Sequence, residues 1–275
     1  MLKQRLLTAS ILIPLVLFSL YQQPALFCII LTSLLLVGAW EWSRLAGWHS
    51  ITQRVIYFLS FLISLSIVYY LSVILVLPQV LFITLIVAML WWLLATYWVI
   101  RYQQGHNLLP NNRWIKSLLG IFVLLPAWLA IQFILQISPH WVLLLFLLVW
   151  GADSGAYFAG KKWGKHKLAT VVSPKKTWEG VYGALATALM IIALYAIIFE
   201  WSSSRIINFS LLAIATVFIS VLGDLLESLF KRQAKVKDSG TLLPGHGGVL
   251  DRIDSLTAAA PLFALGLWLA DVSSI

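Results

Sequence analysis

Acidic side chains in the second half of the chain recur at spacings that place them on one face of a helix. Asp224 and Glu227 are three residues apart, Ser228 follows, and Asp251 and Asp254 are again three apart. Residues at these intervals are neighbours on an α-helix surface. Hard carboxylate oxygens favour Mg²⁺, which also binds phosphate oxygens. The pattern therefore predicts a magnesium and phosphate site; an interfacial ion-pair cluster around residues 251–254 is the simpler alternative.

Basic residues and glycines fill the segment between these two acidic groups. Lys231, Arg232 and Lys237 precede a Pro-Gly-His-Gly-Gly run at residues 244–248. Glycine adopts left-handed backbone angles, so such a loop can turn successive N–H groups towards an anion. We interpret residues 245–248 as a phosphate-binding nest. For His246, an ordinary polar loop residue is the alternative.

A second polar stretch lies between residues 150 and 180. Asp153 follows a long apolar run, where an ionisable group is costly and indicates function; an ion pair with a nearby lysine is the alternative. Ser173, Lys175 and Lys176 lead into Thr177, and we interpret this segment as a loop entering a helix. A capped helix start with adjacent lysines suits a phosphate, although the same lysines could simply be solvated.

The elements that must position these side chains are membrane-spanning helices. The chain has 275 residues, 61% hydrophobic and 11% charged, with a mean hydropathy of +0.93. A soluble globule of this size cannot bury so much apolar surface, because its surface requires polar cover. A β-barrel would show polar and apolar alternation, whereas the apolar runs here are continuous. The sequence predicts an all-α, polytopic integral membrane bundle.

A membrane span requires about 20 apolar residues, and the sequence offers nine such runs. They are residues 6–21, 25–41, 55–77, 79–100, 115–136, 141–160, 180–200, 207–230 and 256–271. We predict two regions: N-terminal transmembrane helices over 1–140, and a catalytic transmembrane region with cytoplasmic loops over 141–275. Nine of the ten acidic residues follow residue 150; Glu41 is the exception.

Basic residues are distributed very unevenly over the segments that connect these spans. The N-terminus and alternate connections hold 18 of the 19 Lys and Arg residues, and Arg205 is the exception. Cytoplasmic segments of membrane proteins are enriched in Lys and Arg. We therefore predict a cytoplasmic N-terminus, an external C-terminus and a polar site at the cytoplasmic face. The net charge of +9 then suits anionic headgroups and phosphates rather than nucleic acid.

The polar segments also match a known pattern. Its specified residues in this chain are Ser228, Phe230, Lys231, Arg232, Lys237, Asp238, Gly240, Leu243, Pro244, His246, Gly247, Gly248, Val249, Asp251, Arg252, Ile253 and Asp254. This run resembles the signature of the phosphatidate cytidylyltransferase (CDP-diacylglycerol synthase) family. The Asp153-x₃-Tyr157-x₂-Gly160 stretch and residues 173–180 resemble that family as well.

The resemblance implies a reaction in phospholipid synthesis: CTP and phosphatidic acid give CDP-diacylglycerol and pyrophosphate, with Mg²⁺ as cofactor. It implies a catalytic set of five residues: Asp224, Asp251, Asp254, Lys237 and Arg252. Of these, Asp224 and Asp251 would hold the metal with Asp254 as a further ligand, and a second cation is an open alternative. The implied substrate-binding residues are Ser173, Lys175, Lys176, Lys231, Arg232, Gly245, His246, Gly247 and Gly248.

The same resemblance implies a bacterial inner-membrane protein whose partners are CTP, phosphatidic acid and the bilayer, with a homodimer left open. A lipid kinase that uses CTP is an alternative, and it would release CDP rather than pyrophosphate. A transporter would place ionisable residues near mid-membrane in both halves, often as repeats, and none is visible. A membrane scaffold would not need the loop of Asp, Gly and His residues.

Overall fold

The computed structural model describes residues 14–75, 78–240, 242 and 247–270, and almost all of them are helical. Over these residues the chain forms nine helices. They are α1 (residues 14–22), α2 (Pro24–Leu45), α3 (Ile51–Tyr69, continued by a π-helical turn, Tyr70–Ile74), α4 (Pro78–Gln103), α5 (Arg113–Ile137), α6 (Pro139–Trp163), α7 (Trp178–Ile198), α8 (Ser203–Gln233) and α9 (Leu250–Leu269).

Seven of these helices, α2 to α8, are long and apolar enough to cross a membrane. The predicted fold class, an all-α polytopic membrane protein, is confirmed. The two other predicted spans correspond to α1, which is described only from residue 14, and to α9, which carries Asp251, Arg252 and Asp254 near its start. The count of nine spans therefore stays a prediction.

Proline and capping side chains set the helix ends where the sequence indicates turns. Proline opens α2 and α6, where the lost N–H would have no partner in any case. Ser138 caps α6 by accepting from His140 N at 3.3 Å, and Asn112 caps α5 by accepting from Trp114 N at 2.8 Å. Each of these helices therefore begins at a residue whose type indicated a turn.

Helices α6 and α7 pack backbone against backbone. A Cβ atom placed on Gly155 would lie 2.7 Å from the carbonyl oxygen of Gly183, and one placed on Gly183 would lie 2.7 Å from that of Gly155. Small residues at a helix interface permit this close approach. The α6–α7 pair therefore forms a tightly fitted unit at the edge of the bundle.

A short β-hairpin connects α6 to α7, where the sequence indicates only a loop. Strand β1 (Lys167–Ala169) pairs antiparallel with β2 (Ser173–Thr177), with Lys167 opposite Thr177 and Ala169 opposite Ser173. Strand β2 runs directly into α7, and Thr177 caps that helix by accepting from Gly180 N at 3.2 Å. The predicted capped helix start is thus present, but it follows a strand.

The connections that carry most of the basic residues meet at one end of the bundle. Arg232, in the last turn of α8, donates from Nε to Val172 O of the hairpin at 3.3 Å. Val171 N donates to Gln103 Oε1 of α4 at 3.1 Å, and Gln233 Nε2 donates to Asn111 Oδ1 at 3.2 Å. We call this the polar end of the bundle.

Arg205, the one basic residue outside the basic connections, lies at the start of α8, at the end of the bundle opposite the polar end. Its guanidinium carbon is 5.1 Å from the ring centre of Trp201 and 5.6 Å from that of Trp141. A cation over aromatic faces is a favourable arrangement near a membrane interface. The separation of charge between the two ends agrees with the distribution of basic residues in the sequence.

The side of the membrane on which the polar end lies can be tested with reporter fusions. If the N-terminus and the polar end are cytoplasmic, a reporter fused after Ile275 should be active only when it is of the kind that functions outside the cytoplasm. The same reporter fused within the β-hairpin, which lies at the polar end, provides the opposite control. A C-terminal fusion active in the cytoplasm would contradict the predicted nine spans.

Candidate active site

Helices α8 and α9 bring the acidic residues of the signature together. Helix α8 continues to Gln233, so Asp224 lies inside the helix rather than at its end, and α9 begins at Leu250, six residues before the predicted span. Gly223 allows the two helices to touch, because a Cβ there would lie 2.5 Å from Asp254 O. Consequently Asp251 and Asp254 project from the first turns of α9 beside α8.

Lys231 joins the two helices through a buried ion pair. Its Nζ lies 2.6 Å from Asp251 Oδ1 and 3.2 Å from Glu227 Oε1 one turn earlier on α8. The side chains of Lys231 and Asp251 are only 11% and 8% exposed. Breaking a buried pair by removing one partner leaves an uncompensated charge, which is strongly destabilising. Lys231 therefore has a structural role in addition to any contact with substrate.

Asp251 also fixes the loop that precedes α9. Its Oδ2 accepts from Ser239 N at 3.0 Å, from Ser239 Oγ at 2.9 Å and from Gly248 N at 2.9 Å. Since Oδ1 is taken by Lys231, both carboxylate oxygens are engaged by protein donors. The N–H group of Gly248, predicted to contact phosphate, is likewise engaged by Asp251 in this structure.

The hairpin delivers Lys176 to the other carboxylate of α8. Lys176 Nζ lies 2.8 Å from Asp224 Oδ2 and donates to Val221 O at 3.2 Å. Ser228 Oγ donates to Asp224 Oδ1 at 3.1 Å, which is the i, i+4 contact expected from their spacing. Both side chains are partly exposed, 22% for Lys176 and 32% for Asp224. The pair is thus accessible from the polar end.

Further charges connect these two ion pairs into one network, the α8–α9 cluster. Asp153 on α6 interacts electrostatically with Lys176, Asp224 and Arg252. Its eight members are the carboxylates Asp153, Asp224, Glu227, Asp251 and Asp254 and the cations Lys176, Lys231 and Arg252. By formal charge, its five carboxylates outnumber its three cations by two.

Two observations bear on a metal in the α8–α9 cluster. Glu227 is 3% exposed; its Oε1 lies 3.2 Å from Lys231 Nζ, and its Oε2 has no hydrogen-bond partner in the part of the chain that the structure describes. A buried acceptor without a donor is costly, so a ligand would stabilise it. However, the described residues contain no group of three or more His, Cys, Asp or Glu side chains arranged to hold a metal ion.

The structure places the remaining predicted residues around the α8–α9 cluster rather than in it. Ser173 is paired in the hairpin, Lys175 is exposed on β2, and Lys237 is exposed beyond α8. Arg232 faces the hairpin through its contact with Val172.

The glycine-rich loop is described only in part. Gly245 and His246 lie outside the described residues. Gly247 has a φ of +82°, a left-handed conformation that favours glycine. This agrees with the predicted backbone freedom of the glycine-rich loop.

Sequence reasoning missed three residues that belong to this arrangement. Glu227 was noticed by its spacing but not assigned, and it lies between Lys231 and Asp254. Ser239 contacts Asp251, and Glu41 contacts Ser239 from α2. Glu41 is the one acidic residue among the first 150, and this isolation was the signal that could have identified it.

Comparison with known proteins decides the family. The profile of the cytidylyltransferase family matches residues 3–270. The chain belongs to this family. It is 44% identical to the phosphatidate cytidylyltransferase of Pseudomonas aeruginosa over 98% of both chains, and 44% identical to that of Haemophilus influenzae over 96% of this chain and 98% of the relative. The Staphylococcus haemolyticus enzyme of the same name is 48% identical over 45% of this chain and 47% of its own. The cytidylyltransferase family predicted from the signature is confirmed.

Proposed function

We propose that this chain transfers the cytidylyl group of CTP to phosphatidic acid, forming CDP-diacylglycerol and pyrophosphate, at the α8–α9 cluster. The observation that carries the proposal is the meeting of the Lys176–Asp224 and Lys231–Asp251 pairs at one end of a membrane bundle. Membership of the cytidylyltransferase family and the names of the full-length relatives support it.

The reaction requires two anions to meet. A phosphate oxygen of phosphatidic acid attacks the α-phosphorus of CTP, and the bond to pyrophosphate breaks. Cationic side chains reduce the repulsion between the reactants and stabilise charge on the leaving group. Lys176 and Arg252 are the candidates, because Lys176 reaches the cluster from an accessible strand and Arg252 is exposed at the start of α9. Substrate phosphates would compete with Asp224 for Lys176.

Magnesium is the cofactor that the cluster would take. The five carboxylates of the cluster, among them Glu227 with an oxygen that accepts no hydrogen bond, are the hard oxygen ligands that a divalent cation prefers. Asp224, Asp251 and Asp254 would hold it, with Glu227 as an added candidate, and a second cation stays an open alternative. When bound, it supplies positive charge that phosphoryl and nucleotidyl transfer require. Lys176 and Lys231 would then exchange their carboxylate partners for phosphates.

The lipid substrate has a suitable cavity beside the charges. An apolar cavity of about 600 Å³ lies between α4, the hairpin, α7 and α8, with Ile100, Trp178 and Phe218 among its lining residues. Val221 also lines it, and its carbonyl oxygen accepts from Lys176 Nζ. An acyl chain in this cavity would therefore place its headgroup beside Lys176. We propose that the hairpin lysine binds the phosphate of phosphatidic acid.

The proposed setting is a bacterial inner membrane with the polar end in the cytoplasm, where CTP is available. The bacterial relatives and the charge distribution support this placement. A homodimer stays an open alternative.

The reaction can be tested with purified protein in detergent, using CTP labelled at the α-phosphate, phosphatidic acid and Mg²⁺. Label should move to the lipid while pyrophosphate is released in equal amount. A lipid kinase would instead transfer the γ-phosphate and release CDP, with no α-label in the lipid. Release of CDP in place of pyrophosphate would overturn the proposal.

We expect Lys176→Ala to weaken capture of phosphatidic acid. Removal of a charge-assisted contact is worth about 1.5–3 kcal/mol, so the KM for phosphatidic acid should rise by roughly 10- to 100-fold. Lys162→Ala is the matched control, because Lys162 is an exposed lysine at the end of α6 beside Trp163. An unchanged KM for both substrates with normal kcat would favour the interpretation of solvated lysines.

A further inference from the structure

Glu41 is a buried carboxylate that the proposed reaction does not use. It lies near the end of α2, is 4% exposed, and is the only acidic residue in the first 150 positions. A buried carboxylate is costly unless donors surround it. Its partners therefore indicate why it is there.

All of its described hydrogen-bond partners belong to the signature segment. Glu41 Oε1 accepts from Val249 N at 3.1 Å, and Oε2 accepts from Leu250 N at 2.8 Å and Ser239 Oγ at 3.1 Å. The first N–H groups of a helix lack partners within the helix and carry partial positive charge. Within the described residues, α9 has no side-chain cap of its own from Val249. Glu41 supplies that cap from a different helix.

The same carboxylate is one hydrogen bond away from the α8–α9 cluster. Ser239 Oγ lies between Glu41 Oε2, at 3.1 Å, and Asp251 Oδ2, at 2.9 Å, so the two carboxylates share its single hydroxyl proton. Gly240 and Gly248 enclose it so closely that a Cβ on either would collide with the Glu41 carboxylate. Gly240 and Gly248 therefore pack closely against the Glu41 carboxylate. Asp251 lies on the other side of Ser239 and is paired with Lys231.

We propose that Glu41 is a positioning residue for catalysis. By binding Ser239 and the first N–H groups of α9, it holds Asp251 and Lys231 in the orientation that the reaction needs. The inference rests on the proposed reaction site at the α8–α9 cluster. It gives the apolar N-terminal half a direct part in the active site. If Glu41 were only a helix cap, its substitution would lower the stability of the protein, and its effect on kcat/KM would not depend on Ser239.

Glu41→Gln, Ser239→Ala and the double variant separate these two roles. The Gln amide keeps one acceptor oxygen and replaces the other by an NH₂ group, so either Val249 N or Leu250 N faces a donor and loses its partner. Removal of supporting hydrogen bonds at a metal or phosphate site typically costs about 10- to 100-fold in activity, and we expect that loss in kcat/KM for CTP. Because both residues act through the same loop, the double variant should lose little more than the worse single variant.

The control is Ser43→Ala, a buried serine of α2 that accepts from Arg54 rather than contacting the loop. Its kcat/KM should equal that of the wild type. Losses that multiply in the double variant, or near wild-type kcat/KM in Glu41→Gln, would overturn the inference. If Glu41→Gln does not accumulate, Ser239→Ala alone decides: a loss of about 10-fold supports the inference, and wild-type kcat/KM overturns it. Wild-type protein that released no pyrophosphate would instead contradict the proposed reaction.

Discussion

Asp224→Asn is expected to abolish turnover while the protein stays folded and inserted. The substitution keeps the shape of the side chain and the contact with Ser228 but removes the charge that faces Lys176. Removal of a single preorganised electrostatic group typically costs about 10²- to 10³-fold in kcat, and loss of a predicted metal ligand adds to this. Because Asp224 is partly exposed, the melting temperature should change little.

Pyrophosphate release at saturating CTP and a thermal melt in detergent measure these two effects. Glu200→Gln is the matched control, since Glu200 is an exposed acid in the turn between α7 and α8. It should match the wild type in both measurements. Normal turnover by Asp224→Asn at low Mg²⁺ would contradict the assignment of Asp224 to the metal.

Asp251→Asn is expected to lose both activity and stability. The Asn amide can accept on one side only, so either Lys231 Nζ or the donors of Ser239 and Gly248 lose their partner. Breaking a buried ion pair costs about 3–5 kcal/mol. We therefore expect no detectable turnover and a clearly lowered melting temperature, in contrast to Asp224→Asn.

The contrast between the two aspartates is the informative measurement. Asp251→Asn should unfold at lower temperature than Asp224→Asn in the same detergent. In both variants Lys231 keeps its second partner, Glu227, so the difference in melting temperature reports the contacts of the two aspartates themselves. Equal melting temperatures for the two aspartate variants would contradict the buried role of Asp251.

The helices were predictable because continuous apolar runs and proline turns are local features. Each predicted span has a counterpart in chain order, from residues 14–22 to Leu250–Leu269. The hairpin was not predictable in this way. Ser-Pro-Lys-Lys-Thr has no apolar alternation, and its pairing depends on residues 167–169 lying opposite it.

The acids that meet in the α8–α9 cluster were easier to predict than the contacts they make. Spacing along α8 and α9 identified the acids, since i, i+3 positions share a helix face. It could not indicate that Lys231 pairs with Asp251, because that contact joins two helices through a buried ammonium group. Nor could it connect Glu41 with Leu250, which are 209 positions apart in sequence.

The close contact between Gly155 and Gly183 determines how the site can move. At this contact the backbones of α6 and α7 already touch, so a sliding or tilting of either helix would disturb close packing. The hairpin leads directly into α7, so β2 cannot withdraw from α8 as a rigid flap. Exchange of phosphates is then expected to need a rotamer change of Lys176 that breaks its 2.8 Å contact with Asp224, rather than a closure of whole helices.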